Sequence, residues 1–396
     1  MLARALSPSW SAIVTRLDQL RRDVATVSRR ARGYHASPLV TTARALVVLR
    51  VIRETPDSVT LVLRAPGGQP FAFQAGQFFT LLTEIDGELV PRNYSASNAP
   101  GEAELHLTIK KKAGGRVSPV LCSASRTRPG DRLRVLGPFG SFVLPAASSS
   151  RRLILVAGGA GITPLVSIAR TVLANEPAAE IALVYANRRE EDVILASELR
   201  DLASAHGTRL TLLHVLEQPP ALWDGHAGRL DRHAAARALD TLALAAHPEA
   251  MFFVCGPDAM RDEVLAALAA RGIAEDAIRI ERFAIGPRPQ VSRSPAAAAV
   301  APRGGPRPIS IRVKGRTHHA IASPGATVLE VGLAAGADMP FSCGVGGCGA
   351  CRVKVIAGDV EIDEPNCLSD AERAAGYVLA CVGRPCGPCS VEVPDR

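Results

Sequence analysis

RLILVAGGAGITPLVSIAR, residues 152–170, decides the fold of the middle of this chain. Its first half is an aliphatic run of the kind that forms a strand buried on both faces. Its second half reads as a helix, with Pro164 near the start and Gly158, Gly159 and Gly161 between the two elements. A glycine cluster alone is usually just a turn. Between a strand and a helix it is the setting in which a dinucleotide pyrophosphate binds at a helix N-terminus. The pattern then repeats outward. EIALVYAN (180–187), RLTLLHVL (209–216) and AMFFVCGP (250–257) are further buried strands, and helical stretches such as 257–272 lie between them. Residues 149–285 are therefore expected to form an α/β nucleotide-binding domain with a parallel sheet. Arg188 and Arg189 follow the second strand, where a ribose 2′-phosphate would sit. They favour NADPH over NADH, against the opposing charges of Glu190 and Glu191.

Upstream the period changes. ALVVLRVIRE (45–54), SVTLVLRAP (58–66), QFFTLLTEI (77–85), AELHLTIKK (103–111) and RLRVLGPFG (132–140) are short β-branched runs punctuated by Gly, Pro and Asp. They predict a small antiparallel β-barrel over 41–148. PRNYS, residues 91–95, sets a cation, a flat ring and a hydroxyl in one extended stretch through Arg92, Tyr94 and Ser95. That set suits a pyrophosphate and one face of an isoalloxazine, although a barrel tyrosine is more often packing. GGRVS, residues 114–118, adds a turn whose backbone amides can cradle phosphate.

Downstream, residues 286–307 lack periodicity and are rich in Pro, Ala and Gly, which marks a semi-rigid linker. The last segment, 308–396, opens with the hairpin candidates ISIRVKG (309–315) and THHAIAS (317–323), then a helix around 327–336. Seven of the nine cysteines fall after residue 340. Cys343, Cys348 and Cys351 are spaced C-x4-C-x2-C, and Cys381 follows after 29 intervening residues. This is the plant-type spacing for four thiolates on a [2Fe–2S] cluster. The alternatives are zinc, whose sites usually pair C-x2-C knuckles, and thiols that are simply buried core. Gly344, Gly346, Gly347 and Gly349 let the backbone wrap a cluster and aim amides at its sulfurs. Cys381, Cys386 and Cys389 repeat the same spacing, with prolines in place of glycines. We take Cys381 as the fourth ligand and leave Cys367, Cys386 and Cys389 as spare thiols.

Composition bounds the rest. No apolar run approaches the roughly 20 residues that span a bilayer, and clustered thiols in a long chain indicate metal in a reducing compartment, hence the cytoplasm. The net charge of +8 is not gathered into one patch. Ten acids and eight bases give 308–396 a charge of −2, which leaves +10 on the remainder. With 4% aromatic residues there is no base-stacking surface, so nucleic acid is excluded as a partner. Residues 1–40 are rich in Arg, and Trp10, Ile13, Val14, Leu17, Leu20, Val24 and Val27 draw one apolar helical stripe. A helix packed on the body, a peripheral membrane or partner contact through residues 8–30, and a cleaved targeting segment all fit it.

Arg92-Asn93-Tyr94-Ser95, the 114–118 loop, GGAGITP (158–164), VCGP (254–257) and ERF (281–283) together resemble the ferredoxin–NADP reductase superfamily. The order of flavin, nicotinamide and C-terminal plant-type ferredoxin is similar to the three-part reductases of phenylacetyl-CoA epoxidase, ketosteroid hydroxylase and desaturases. The resemblance covers about residues 44–396. It implies a multidomain protein: an antiparallel flavin-binding β-barrel, an α/β nucleotide-binding domain and a β-grasp ferredoxin domain. Its cofactors would be FAD rather than FMN, a [2Fe–2S] cluster and NAD(P)H, and its acceptor an oxygenase or fatty-acid desaturase. It further implies that Arg92, Asn93, Tyr94, Ser95, Thr108, Lys110, Gly114, Gly115, Val117, Ser118 and Phe283 line the flavin. Gly158, Gly159, Gly161, Thr163, Pro164, Arg188 and Arg189 would hold the nicotinamide nucleotide. Cys255, Gly256 and Pro257 would flank its ring, so that Ser95 and Cys255 stand nearest the chemistry. An electron-transfer component of a flavin dehydrogenase of the dihydroorotate dehydrogenase type, and a redox sensor without turnover, are the rival readings. The N-terminal segment and the trailing CGPC at 386–389 fall outside the pattern.

Overall fold

The β-branched runs before residue 140 form six antiparallel strands: β1 (Arg44–Thr55), β2 (Ser58–Arg64), β3 (Phe78–Ile85), β4 (Glu88–Ser95), β5 (Leu105–Lys110) and β6 (Arg132–Phe139). The computed structural model describes residues 43–145, 150–242, 247, 249–283, 307–341, 346, 349–363, 366, 368 and 370–394. The segment expected at 1–40 lies outside these residues, and so does the expected linker apart from Arg307. The strands pair in the order β4-β3-β6-β1-β2-β5. Ala96, just past β4, bridges to Leu107 in β5, so the two outer strands meet and the sheet closes into a barrel. Alternate residues turn inward, and Leu61, Phe79, Leu81, Leu107 and Ile109 fill the interior with no solvent exposure. The short helix α1 (Ser118–Leu121) follows β5.

The alternating middle of the chain forms a second sheet from β7 (Arg152–Gly158), β8 (Glu180–Asn187), β9 (Leu210–Leu216), β10 (His226–Ala227), β11 (Ala250–Cys255) and β12 (Ile278–Glu281). All of its pairings are parallel, in the order β10-β9-β8-β7-β11-β12. The chain moves outward from β7 through β8, β9 and β10, then returns to the other side of β7 at β11. That reversal makes the C-terminal ends of β7 and β11 the switch point of the strand order, the place where α/β sheets bind ligands in a crevice. Four helices accompany the strands: α2 (Ile162–Asn175), α3 (Ala196–His206), α4 (Arg232–Thr241) and α5 (Asp258–Ala270).

Helix α2 is buried continuously from Ile162 to Ala169 because it has two neighbours. One side packs on the parallel sheet; on the other, Ala75 and Phe142 from the barrel segment join the same apolar core. The buried Ser167 hydroxyl donates to the Asn98 carbonyl at 2.7 Å, which ties the helix to the barrel. The third sheet holds β13 (Arg307–Val313), β14 (Arg316–Ala322), β15 (Arg352–Ala357), β17 (Tyr377–Leu379) and β19 (Cys389–Glu392), ordered β14-β13-β19-β15-β17. Its central pair, β13 with β19, is parallel and the others are antiparallel. A two-stranded ladder of β16 (Val360–Ile362) and β18 (Gly383–Pro385) lies beside it. Helix α6 (Val328–Ala334) starts at a reciprocal Thr327–Glu330 capping box and buries Val328, Leu329 and Val331 against the third sheet's core. A short helix α7 (Asp370–Ala374) precedes β17. A helix on a mixed sheet with parallel central strands is the expected β-grasp arrangement.

Among the buried polar groups, Arg151 before β7 grips Glu176 at the end of α2, with Nε donating to Oε2 at 2.9 Å. Removing one member of a buried ion pair strands the other charge. Glu176→Ala is therefore expected to lower unfolding stability by about 3 kcal/mol, read as a shift in the denaturant midpoint of the nucleotide-binding half.

Candidate functional site

The crevice is floored by bare backbone. A Cβ on Gly158 would sit 2.6 Å from Met260 Sδ and 2.8 Å from Pro257 Cδ. One on Gly161 would overlap the Cys255 carbonyl, and one on Gly256 would lie 3.0 Å from the Gly158 amide. Gly161 and Gly256 are needed because the turn after β7 and the end of β11 meet backbone to backbone, whereas Gly158 leaves room for the Met260 and Pro257 side chains. Gly159 is different: its φ of +51° opens the 3-10 turn at Gly159–Gly161 that leads into α2. Thr163 is buried in the first turn of α2 beside Pro164, and its hydroxyl donates to the Ala160 carbonyl at 3.1 Å. The Cys255 side chain is wholly buried, and burial pushes its thiol well up, with Glu281 adding to the rise and Arg261 opposing it. The strand end thus presents its backbone and Pro257, not a thiolate. Phe283, the last described residue before 307, is exposed at the end of β12.

Tyr185 in β8 carries no sequence signal beyond that of strand core. Its buried hydroxyl donates to the Gly159 carbonyl at 3.0 Å and accepts from the Ile194 amide at 3.2 Å. It braces the glycine turn against a segment where Leu195 holds a left-handed φ of +58°, an unusual conformation for a branched side chain. One position beyond β8's last alanine, Asn187 is buried with neither its amide nitrogen nor its oxygen hydrogen-bonded. It lies beside the Tyr185 hydroxyl and works against the rise that burial gives that phenol. Arg188 grips the buried Asp192 through two bonds, 2.8 and 3.0 Å long, and Arg189 donates to Gln218 Oε1 at 2.8 Å.

The barrel supplies the facing wall. In β4, Arg92 is exposed and donates to the Pro91 carbonyl, and Asn93 Oδ1 accepts from Thr80 at 2.8 Å. Tyr94 packs on the barrel core, and burial raises its phenol against the opposing charge of Arg92. Ser95 is buried, and its hydroxyl has no partner. A hydroxyl left unsatisfied inside a protein costs about 1–3 kcal/mol, so this one fits a polar ring edge seated against it. The Thr108 hydroxyl belongs to a buried chain running from Ser97 through Thr60 to Glu54. Lys110, at the end of β5, lies 3.8 Å from Asp57, and its Nζ is 4.0 Å from where a Gly159 Cβ would stand. The 114–118 turn is shaped by Gly114 at φ +68° and by Ser118, whose hydroxyl accepts from the Lys112 amide at 2.9 Å, while Val117 is buried at the head of α1.

Of the four proposed cluster ligands, Cys343 and Cys348 lie outside the described residues. The other two come together from distant parts of the chain. Cys351 and Cys381 are both buried; the Cys381 amide donates to Cys351 Sγ at 3.4 Å, and the Gly346 amide to Cys381 Sγ at 3.2 Å. Amides aimed at sulfur favour thiolates, as iron ligation needs. Gly346 has φ +74° and a Cβ there would press on Asn366 and Val382. Asn366, which has no sequence signature of its own, is buried and accepts from Arg373 at 2.8 Å and from the Leu368 amide at 3.1 Å. Cys386 sits exposed in the turn after β18, and Cys389 lies in β19 opposite Ile309.

Family models agree with this three-part layout. An oxidoreductase FAD-binding domain matches residues 46–144, an oxidoreductase NAD-binding domain 155–265 and a 2Fe-2S iron-sulfur cluster binding domain 311–386. The fold and the site thus define an oxidoreductase with flavin, nicotinamide and iron–sulfur modules in one chain. The chain is 33% identical to a component of the 1,2-phenylacetyl-CoA epoxidase of Escherichia coli (strain K12), over 87% of this chain and 96% of that one. It is 35% identical to the ferredoxin reductase component of 3-ketosteroid-9-alpha-monooxygenase from Mycolicibacterium smegmatis, over 90% and 98%. Phthalate dioxygenase reductase, a modular structure for electron transfer from pyridine nucleotides to [2Fe–2S], shares the fold with a TM-score of 0.59 at 22% identity, covering 90% of this chain and all of that one. The chain belongs to the family of ferredoxin reductase-type proteins that join FAD-binding, NAD-binding and [2Fe–2S] modules.

Tyr185→Phe removes the hydroxyl that joins the Gly159 turn to Ile194. The expected result is a roughly tenfold weaker nicotinamide-nucleotide interaction, from the loss of a buried bond of about 1–2 kcal/mol. A KM titration followed at the flavin band, with flavin content unchanged, checks it.

Proposed function

We propose that this chain takes electrons from NAD(P)H at the β7–β11 crevice and delivers them, through FAD on the barrel and a [2Fe–2S] cluster, to an oxygenase. One juxtaposition carries the reading: Lys110 of the barrel stands against the Gly159 turn of the nucleotide half, and Ser167 is bonded to Asn98 across the same seam. A donor in the crevice and an acceptor on the barrel would share a wall. FAD supplies the conversion of one hydride into two single electrons, and the cluster carries them one at a time.

The chain's own residues do the positioning. The Ser95 hydroxyl would take the buried polar edge of the flavin ring, Tyr94 would lie along its face, and Arg92 with the 114–118 turn would hold its phosphates. Backbone amides from Gly159 into the first turn of α2 would receive the nucleotide pyrophosphate. Gly158, Gly161 and Gly256 keep side chains out of its approach, and Pro257 closes the far side. Cys343, Cys348, Cys351 and Cys381 would ligate the iron, with the Gly346 and Cys381 amides stabilising charge on sulfur. The oxygenase acceptor rests on the relatives, which are named as components of an epoxidase and of a monooxygenase. A desaturase acceptor and a membrane contact would rest on residues 8–30, outside the described residues. No described helix is long and apolar enough to cross a membrane.

Cys351→Ser is expected to remove the iron–sulfur absorbance and the reduction of a one-electron acceptor, while NAD(P)H still bleaches the flavin. Cys386→Ser should leave the iron content unchanged; iron loss there would move the fourth ligand to the second cysteine run. Ser95→Ala should bind FAD yet slow its reduction about tenfold or more, for a lost bond of about 1.5 kcal/mol, as stopped-flow bleaching would report.

A further inference from the structure

Beside the crevice, at the end of β8, the structure departs from what the paired arginines suggest. Arg188 presents Nε and Nη2 side-on to Asp192, so its fork is filled by a carboxylate whose side chain is only 6% exposed. The neighbourhood adds more acid. Asp57, from the β1–β2 turn of the barrel, and Glu191 both act on Arg188, and Glu190 opens the 3-10 turn that holds Glu191 and Asp192. Against these stand Arg189, turned to Gln218 and Glu191, and Lys110, facing Asp57. Arg200 near Glu190, and Arg53 and Lys111 near Asp57, balance these acids further, so what distinguishes the place is that the arginine best placed for a phosphate already holds a carboxylate. Asn187, buried with both polar atoms unpartnered immediately before Arg188, marks this as a place where a polar ligand is expected.

Resting on the proposed nucleotide site, we infer that Asp192 is a specificity-determining positioning residue: by occupying the Arg188 fork it makes the site favour NADH over NADPH. A ribose 2′-hydroxyl asks only for neutral hydrogen bonds and needs no uncompensated cation. Asp192 takes the Nε and Nη2 donors of Arg188 and compensates its charge, so a 2′-phosphate meets only the remaining guanidinium edge, its attraction offset by the carboxylate already bonded there.

The test compares ADP-ribose with its 2′-phosphate, ligands that differ only at this group, by calorimetry on the holoprotein. Wild-type protein is expected to bind ADP-ribose about tenfold tighter, the scale of one charge-assisted contact. Asp192→Asn should strengthen the 2′-phosphate ligand about tenfold and leave ADP-ribose nearly unchanged. Adding Arg188→Gln should erase that gain, which a merely structural role for Asp192 would not predict. The ratio of kcat/KM for NADH and NADPH in flavin reduction should move in parallel. Tighter binding of the 2′-phosphate ligand by wild-type protein overturns the inference whether or not the variant folds, and so does an Asp192→Asn effect equal on both ligands. Binding of neither ligand overturns the nucleotide-site placement itself, and the inference with it.

Discussion

Where β7 and β11 end, two backbones pass so closely that no side chain fits between them, and Gly161 and Gly256 are the residues that permit it. The contact is set by topology. The chain leaves β7 on one side of the sheet and returns at β11 on the other, so the turns above the two strands diverge and expose amides. A side chain on Gly161 would collide with the Cys255 carbonyl and move α2, because the 3-10 turn at Gly159–Gly161 runs straight into it. The whole nucleotide half is therefore referred to one patch of backbone contact. Tyr185 adds a second constraint by tying the Gly159 carbonyl to Ile194.

Helix α2 passes that constraint on to the barrel. Its apolar residues face the sheet on one side and Ala75 and Phe142 on the other, and Ser167 fixes its register against Asn98. A helix buried on both sides cannot slide without opening a cavity in each core. The consequence is chemical as well as mechanical: the end of β5, with Lys110, is held against the glycine turn, and the unsatisfied Ser95 hydroxyl stays on the barrel at the end of β4. Hydride transfer needs donor and acceptor within contact distance, and here that proximity would be a property of packing rather than of a flexible loop.

The strands and helices were readable because their periods differ. The short β-branched runs around Leu61, Leu81 and Leu107 became the barrel, and the strand–glycine–helix run at 152–170 became β7 and α2. Residues whose role depends on a remote partner were not readable. Tyr185 looked like any buried strand tyrosine, since its partner carbonyl lies 26 residues away. Asn366 shapes the cysteine loop by packing on Gly346 and has no local signature. Cys255, whose sequence position suggests a thiol beside the nicotinamide ring, is enclosed by the core that its own strand helps to build. Of the cysteine spacing the fold displays one pair, Cys351 with the amide of Cys381 on its sulfur, while Cys343 and Cys348 lie outside the described residues.

Charge was the least legible property, because a sequence counts charges and a fold pairs them. The chain's net charge of +8 does not by itself say where an anion would bind. Four basic side chains beside the crevice face carboxylates: Lys110 faces Asp57, Arg188 faces Asp192, Arg189 faces Glu191, and Arg261 faces Asp258. Pairing leaves little uncompensated field, so attraction for a pyrophosphate falls to the amides of the glycine turn and the first turn of α2, whose strength is modest and local. For a protein that must release an oxidised nucleotide on every cycle this balance is functional. A site lined with unpaired arginines would hold the product as firmly as the substrate, since the two share the same phosphates.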